Sequence, residues 1–228
     1  MSEKNENVMK SALDAFNAGK AKECMEFCDQ IFLEDPDSAN ARALKGASLL
    51  LDFSLEDAAN LASEAVDVWE LIKDDAQIAD EYKNAVSLTA FEFRNVWYKT
   101  AKKSYKKIDK NSQASKEEKS SASNWFAGQK KAITDFMKIL AYKPWLQNYP
   151  TFIQCTINLA NKQIASLKNV KFARILVKAN KGKDGEVGTL TKKLRNVLIR
   201  IMILCGVKWA IILFAAYMFI YSVADVLF

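Results

Sequence analysis

Two cysteines, Cys24 and Cys28, come closest to a metal or redox site in this sequence of 228 residues. Their spacing of four residues places both thiols on the same face of a helix. The sequence contains no histidine, and the other two cysteines, Cys155 and Cys205, do not form a second closely spaced pair. A zinc site is therefore not expected. We predict that Cys24 and Cys28 are small core residues, because free cysteine is among the most buried residue types.

The side chains that usually carry out catalysis are missing or unpaired in this sequence. The absence of histidine removes the commonest general base and any serine or cysteine triad of the usual kind. Carboxylates such as Asp74 and Asp75 occur at helix ends and form no paired motif on one helix face. We therefore expect no catalytic residues, no metal and no cofactor, and a protein that binds rather than catalyses.

The composition predicts an all-α protein. Half of the residues are hydrophobic, which is enough for a packed core. Only 7 glycines and 3 prolines are present, whereas sheets and tight turns need these residues more often. The expected fold is a set of helical hairpins, followed by a bundle of long helices and a C-terminal transmembrane helix.

Charge divides the chain into an acidic part and a basic part. Residues 1–90 carry 19 Asp and Glu against 8 Lys and Arg, and have a formal charge of −11. Residues 91–228 have a formal charge of +17, so the net charge is +6. An anionic membrane surface would repel the acidic part and attract the basic part.

Within the acidic part, residues 5–75 contain two helical pairs about 34 residues apart. The first helix ends at Gly19, a typical C-terminal glycine, and the second runs to a break at Pro36. Ser54 and Asp57 predict a turn with a capping box between the helices of the second pair. Small and large apolar residues recur at matching positions of the two pairs: Ala12, Ala15 and Cys24 in the first, and Gly46, Leu49, Ala58, Ala62 and Ala65 in the second.

This pattern resembles the tetratricopeptide repeat (TPR), whose period is 34 residues. The resemblance implies stacked helix pairs with a concave face that binds another protein or a peptide helix. Some TPR domains clamp a peptide carboxylate with Lys and Asn, but apolar residues stand at the matching positions here. The resemblance therefore implies an apolar partner groove, and a generic antiparallel bundle is the alternative. The groove residues are Met9, Leu13, Phe16, Ala43, Ala47 and Leu50.

Residues 76–178 are predicted to form a basic bundle of long helices. Apolar residues at steps of three or four predict one helix over 76–109. Ser115 and Glu118 predict a capping box that opens the next long helix. Prolines interrupt that helix, and a further helix is predicted at about 151–168. Two long helices joined by a short loop usually pack antiparallel, so we expect a basic hairpin beside the repeat.

The lysine-rich run over residues 99–143 leaves three interpretations open. Lys with interleaved Tyr, Trp and Phe occurs in nucleic-acid binders, but no RRM, KH or zinc-finger pattern is present. The alternatives are a solvated helix face and a membrane-surface patch, because anionic lipids attract Lys and Arg at about 1 kcal/mol each. Nucleic acid is therefore not an expected partner, and contact with an anionic lipid membrane stays open.

The chain is predicted to close with a Gly- and Lys-rich hinge over residues 179–190 and a helix over residues 191–228. Thr191 is the predicted cap of this helix. The first part of the helix is amphipathic and would suit a membrane interface. The basic residues expected at the membrane surface are Lys192, Lys193, Arg195, Arg200 and Lys208.

Beyond Lys208 the predicted helix is apolar on all sides. The 20 residues from Trp209 to Phe228 would span about 30 Å, which matches the hydrocarbon thickness of a bilayer. The positive-inside rule places the rest of the chain in the cytoplasm, and the polar N-terminus has no signal-peptide pattern. A tail-anchored, single-pass membrane protein is expected. The anchor residues include Trp209, Phe214, Tyr217, Phe219 and Tyr221.

The expected function is that of a membrane-anchored, cytosol-facing scaffold or adaptor, which captures a protein partner through its TPR-like surface. Two alternatives remain open. The first is a membrane-remodelling or pore-forming protein that oligomerises through small tail residues such as Gly206, Ala215 and Ala216. The second is a soluble oligomeric helical protein whose tail is buried in the assembly.

Overall fold

The computed structural model describes residues 3–73, 78–162 and 171–227, with side-chain environments for residues 5–73, 78–162 and 172–217. Within these residues the chain is all-α, as predicted, with ten helices and no strand. The helices are α1 (Glu3–Asn17), α2 (Ala21–Glu34), α3 (Ala39–Ser48), α4 (Ala58–Glu70), α5 (Asp80–Asp109), α6 (Lys116–Tyr142), α7 (Pro144–Gln147), α8 (Pro150–Lys162), α9 (Lys171–Ala179) and α10 (Gly185–Leu227).

The helices pack in two layers. In one layer α1 contacts α3, α3 contacts α5, α5 contacts α8, and α8 contacts α10. In the other layer α4 contacts α6, and α6 contacts α9. Successive helices pair across the layers, as α1 does with α2, α3 with α4, and α5 with α6. This order is consistent with a helical repeat fold, in which each pair of helices stacks on the next. Helix α5 packs against α3 and continues the stack beyond the first four helices.

Helix α1 ends at the glycine that the sequence predicts. Gly19 has a φ of +74°, in the left-handed region that a side chain would strain. The N–H of Gly19 donates to the carbonyl of Phe16 at 2.9 Å, and the N–H of Lys20 donates to the carbonyl of Ala15 at 2.9 Å. These two bonds form a Schellman motif, which stops the helix and turns the chain into α2.

The turn between α3 and α4 contains the predicted Ser54–Asp57 pair, but the helix starts later than predicted. The N–H of Asp57 donates to the hydroxyl of Ser54 at 3.2 Å, and that hydroxyl donates to the Asp57 carboxylate at 2.7 Å. Helix α4 begins at Ala58. The pair therefore closes the turn that precedes α4, and it does not cap the helix itself.

The predicted capping box at the start of α6 is present. The Ser115 hydroxyl accepts the Glu118 N–H at 3.1 Å, and the Glu118 carboxylate accepts the Ser115 N–H at 2.7 Å. Each side chain thus satisfies an N–H group that the first turn of the helix leaves without a helical partner.

Ser115→Ala is expected to lower the free energy of unfolding by about 1 kcal/mol, because α6 loses its N-terminal acceptor. Urea unfolding of the two proteins measures the difference. Ser120→Ala is the matched control, since Ser120 is exposed inside α6. The control should change the unfolding free energy by less than about 0.5 kcal/mol. Equal losses in the two variants would contradict the capping role.

Helix α10 starts at Gly185, six residues before the predicted cap at Thr191. The apolar stripe of the helix already includes Val187 and Leu190, so helical packing extends further towards the N-terminus than the cap suggested. Thr191 is buried inside the helix, where its hydroxyl donates to the carbonyl of Val187 at 2.7 Å. This hydrogen bond satisfies the hydroxyl within the helix, and Thr191 does not cap the N-terminus of α10.

The first half of α10 belongs to the helical body and is not a free interfacial segment. It contacts α8 and α9, and Leu194 and Ile201 on its apolar stripe are fully buried. The predicted hinge is likewise shorter than expected, because only the turn between α9 and α10 is non-helical. Asn180 in this turn is buried, and its amide donates to the carbonyl of Gln147 at 2.8 Å. The turn is therefore tied to the end of α7.

Aromatic side chains join the hairpin of α5 and α6 to α4 and to the turn that precedes α4. The ring of Phe93 on α5 lies 4.7 Å from that of Phe53 and 5.8 Å from that of Phe136, both edge to face. The indole of Trp69 on α4 stacks on Phe136 at 6.2 Å. Edge-to-face and offset rings at these distances add to the stabilisation from apolar burial. The core thus runs without a break from α4 through α5 and α6.

Candidate membrane anchor and basic cleft

Helix α10 changes from a buried helix to an exposed one at a single point. Ile201 is fully buried, and no residue from Met202 to Tyr217 is buried. The predicted anchor residues Trp209, Phe214 and Tyr217 are 64%, 65% and 62% exposed. Phe219 and Tyr221 lie on the helical backbone of α10, but their side chains fall outside the described residues.

Helix α10 has the length and hydropathy of a membrane span. In the described part of the chain, α10 is the one helix that is long and apolar enough to cross a bilayer, and an 18-residue window within it has a mean hydropathy of 2.3. Soluble monomers rarely expose contiguous apolar patches larger than about 600 Å². The apolar half of α10 therefore needs a cover, which is either lipid or protein.

The five basic residues predicted at the membrane surface are all exposed, but they point to two different surroundings. Lys192 and Arg195 line a cleft between α9 and α10, whereas Lys193, Arg200 and Lys208 do not. The cleft has a volume of about 540 Å³. The predicted set is therefore divided between the cleft and the exposed surface outside it.

The remaining walls of this cleft, which we call the basic cleft, come from α9 and the turn that follows it. Four further cations line it, namely Arg174, Lys178, Lys181 and Lys183. Gly188 allows the turn to close, because a Cβ at this position would collide with the carbonyl of Lys183. The sequence marks the stretch before the hinge as basic. It carries no local signal that α9 and α10 would bring these cations together.

The residues of the predicted partner groove lie in the core. Leu13 is half-buried, and the others are buried to within a few per cent: Met9, Phe16, Ala43, Ala47 and Leu50. Helix α3, which carries Ala43 and Ala47, is in contact with α1, α2, α4 and α5. These helices cover the apolar faces that the sequence suggested for a partner. The groove is thus closed by the protein's own packing.

Cys24 and Cys28 are buried core residues, as predicted. The Ser48 hydroxyl lies 3.1 Å from the Cys24 sulfur and donates to it. A hydrogen bond to Cys24, together with burial, raises the pKa of the Cys28 thiol. Cys28 therefore stays protonated at neutral pH, and the pair contributes packing between α2 and α3.

The basic hairpin of α5 and α6 is stiffened by stacked aromatic rings. Tyr105 stacks on Phe126 with ring centroids 5.2 Å apart, and Trp97 also stacks on Phe126, at 6.3 Å. Lys102 and Lys130 lie over the ring of Tyr98 at 5.6 and 6.0 Å. The hairpin therefore holds its exposed lysines on a rigid arm.

In comparisons with protein-family models, curated proteins and solved structures, nothing matches this chain. The function must therefore be inferred from the helical body, the exposed half of α10 and the basic cleft.

Proposed function

We propose that this chain is a membrane-anchored, protein-binding scaffold, with a TPR-like helical body held at a bilayer by the C-terminal half of α10. The observation that carries the proposal is the continuity of α10. Its N-terminal half packs against α8 and α9, and its C-terminal half is an exposed apolar rod. A rigid body fixed in this way presents its other faces to a partner.

The partner of the scaffold is another protein or a peptide helix. Stacked helix pairs bind partners along their exposed faces, and the described residues contain no cluster of His, Cys, Asp or Glu suited to a metal. Since the predicted groove is buried, binding is assigned to the outer faces of the stack. Large apolar side chains are exposed there, among them Leu33 at 85% and Leu88 at 49%.

The helical body is proposed to face the cytoplasm. Lys192, Lys193, Arg195, Arg200 and Lys208 are exposed on the body side of the apolar rod, and short segments rich in Lys and Arg stay on the cytoplasmic side.

Protease treatment of sealed vesicles carrying the full-length protein tests both the anchor and its orientation. With the cytoplasmic face outward, the body should be digested and a short tail fragment should remain. A protected body would reverse the orientation, and complete digestion without a fragment would exclude a span.

Self-association of the anchor is a second candidate, which the surroundings of Gly206 favour. No atom lies within 4 Å of a Cβ built at Gly206, so this face of α10 is open to close approach by another helix.

If the scaffold proposal is right, cross-linking in membranes should give the same monomer band for the native protein and for Gly206→Ile. If tails associate through this face, the native protein should give oligomers that Gly206→Ile removes. Ile212→Leu is the control, because it changes an exposed apolar residue of the span without changing its volume.

A further inference from the structure

Six cations converge on the basic cleft with almost no counter-charge. Arg174 and Lys178 project from α9, Lys192 and Arg195 project from α10, and Lys181 and Lys183 come from the turn between them. Asp184 is the one acidic residue that lines the cleft, which leaves it a formal charge of +5. Among the described residues, no ion pair involves any of the six cations.

One wall of the cleft is apolar and leads towards the membrane anchor. Val177 and Leu198 form its inner part, and Ile199 and Met202 form its outer part at 41% and 45% exposure. Met202 is also the first residue of the exposed apolar rod. A ligand in the cleft would therefore meet cations on one side and, on the other, an apolar surface that continues along α10 into the bilayer.

We propose that the basic cleft binds the headgroup of an anionic phospholipid that carries phosphate groups in addition to its phosphodiester. This inference rests on the proposed membrane anchoring, and it names the lipid that the anchored body would select. The phosphates would pair with the cations of α9 and α10, as charge-assisted hydrogen bonds from Lys and Arg to phosphate are strong. The headgroup would extend past Met202 and Ile199 towards the bilayer, where the phosphodiester and the glycerol lie.

The height of the cleft above the bilayer determines which headgroup fits. Met202 precedes Lys208 by six residues, or about 9 Å along the helix, and Arg195 precedes it by thirteen, or about 20 Å. The polar layer of a bilayer is about 5–7 Å thick on each side. A phosphodiester within that layer does not reach Arg195. Phosphates on a sugar that projects from the layer come within reach of the cations.

An acidic peptide is the competing ligand for a cationic cleft. The position of the cleft favours the lipid, because its apolar wall is continuous with the membrane-facing surface of the same helix. An acidic peptide would gain no contact from that continuous surface. A lipid would, because its charged headgroup and its apolar chains follow one another in the same order as the cations and the apolar surface of α10.

The test is a calorimetric titration of inositol trisphosphate into the full-length protein in neutral detergent micelles. It measures the binding affinity. The cleft variant is Lys192→Gln with Arg195→Gln, and the control is Lys193→Gln with Arg200→Gln. The control removes the same charge from the same helix but from residues that do not line the cleft. All four side chains are exposed, so both variants should keep their helical circular dichroism.

The affinity of the cleft variant for inositol trisphosphate should fall roughly 25-fold, since each cation contributes about fivefold. The control should change the affinity by less than about twofold. Equal losses in the two variants would mean diffuse attraction and would overturn the proposal, as would an absence of binding. Competition by inorganic phosphate or an acidic peptide at the same concentration would overturn the lipid assignment.

A second arm distinguishes the lipid from a free anion. Full-length protein in neutral nanodiscs should retain a labelled phosphatidylinositol bisphosphate against a charge-matched excess of phosphatidylserine. Displacement by phosphatidylserine would contradict the selection of a projecting headgroup. The micelle titration needs no bilayer, so failed anchoring leaves it unchanged, and failed cleft binding leaves the protease protection of the tail in sealed vesicles unchanged. The two failures can therefore be told apart.

Discussion

Deletion of residues 207–228 is expected to move the protein completely from the membrane pellet to the supernatant during carbonate extraction. The deletion removes the apolar segment that would span the bilayer, Trp209 to Phe228. The last buried residue in the described part of α10 is Ile201, so the deletion leaves the contacts of α10 with α8 and α9 in place. Far-UV circular dichroism of the truncated body should therefore keep its helical signal.

The outcome separates the anchor from a tail that is buried in a soluble assembly. If the tail is a membrane span, the truncated body is soluble and unfolds cooperatively, as one packed core does. If the tail is a core element of an oligomer, the full-length protein is already soluble after carbonate treatment, and the truncated protein aggregates or loses its helical signal. Aggregation of the truncated body would thus contradict the anchor proposal.

Local signals in the sequence predict helix ends well when one residue decides the geometry. Gly19 stops α1 because its φ of +74° suits glycine, and Ser115 opens α6 because its hydroxyl accepts an N–H three residues later. Thr191 has the right residue type for a cap but lies inside α10. A capping residue does not start the helix where the apolar stripe continues on its N-terminal side. Here the packing of Val187 and Leu190 extends α10 beyond Thr191.

The predicted groove fails for a different physical reason. Periodicity identifies the apolar face of a helix, but it does not say whether a partner or a neighbouring helix covers that face. Ala43 and Ala47 are apolar in the pattern and are covered by the protein's own helices. Periodicity does not predict the basic cleft for the same reason. Arg174 and Arg195 come together only because α9 packs against α10.

The small residue at position 46 is a case in which the repeat pattern and the packing agree. Gly46 stands at the small first-helix position of the second pair, and the indole of Trp69 fills the space beside it. A Cβ at Gly46 would lie 2.6 Å from Cε2 of that indole. Trp69 is 1% exposed, and its Nε1 donates to the carbonyl of Ala43 at 3.1 Å. The indole therefore cannot move without breaking a buried hydrogen bond.

Gly46→Ala is expected to lower the free energy of unfolding by about 2–4 kcal/mol. Overpacking of a core costs about 1–3 kcal/mol, and loss of the buried indole hydrogen bond adds about 1 kcal/mol or more. Gly128→Ala is the matched control, since it lies inside α6 with no atom within 4 Å of a built Cβ. The control should stabilise the protein by about 0.5–1 kcal/mol, because alanine is the better helix former.

A double-mutant cycle with Trp69→Leu shows whether the indole causes the loss at Gly46. Trp69→Leu is itself destabilising, since it leaves a cavity beside α3. If the collision with the indole is the cause, Gly46→Ala should cost at least about 1 kcal/mol less in the Trp69→Leu protein than in the native one. Urea unfolding of the four proteins measures this coupling. If the two losses in unfolding free energy are additive, the collision with Trp69 is not the cause of the loss at Gly46. The proposed reason for a glycine at this contact between α3 and α4 would then be wrong.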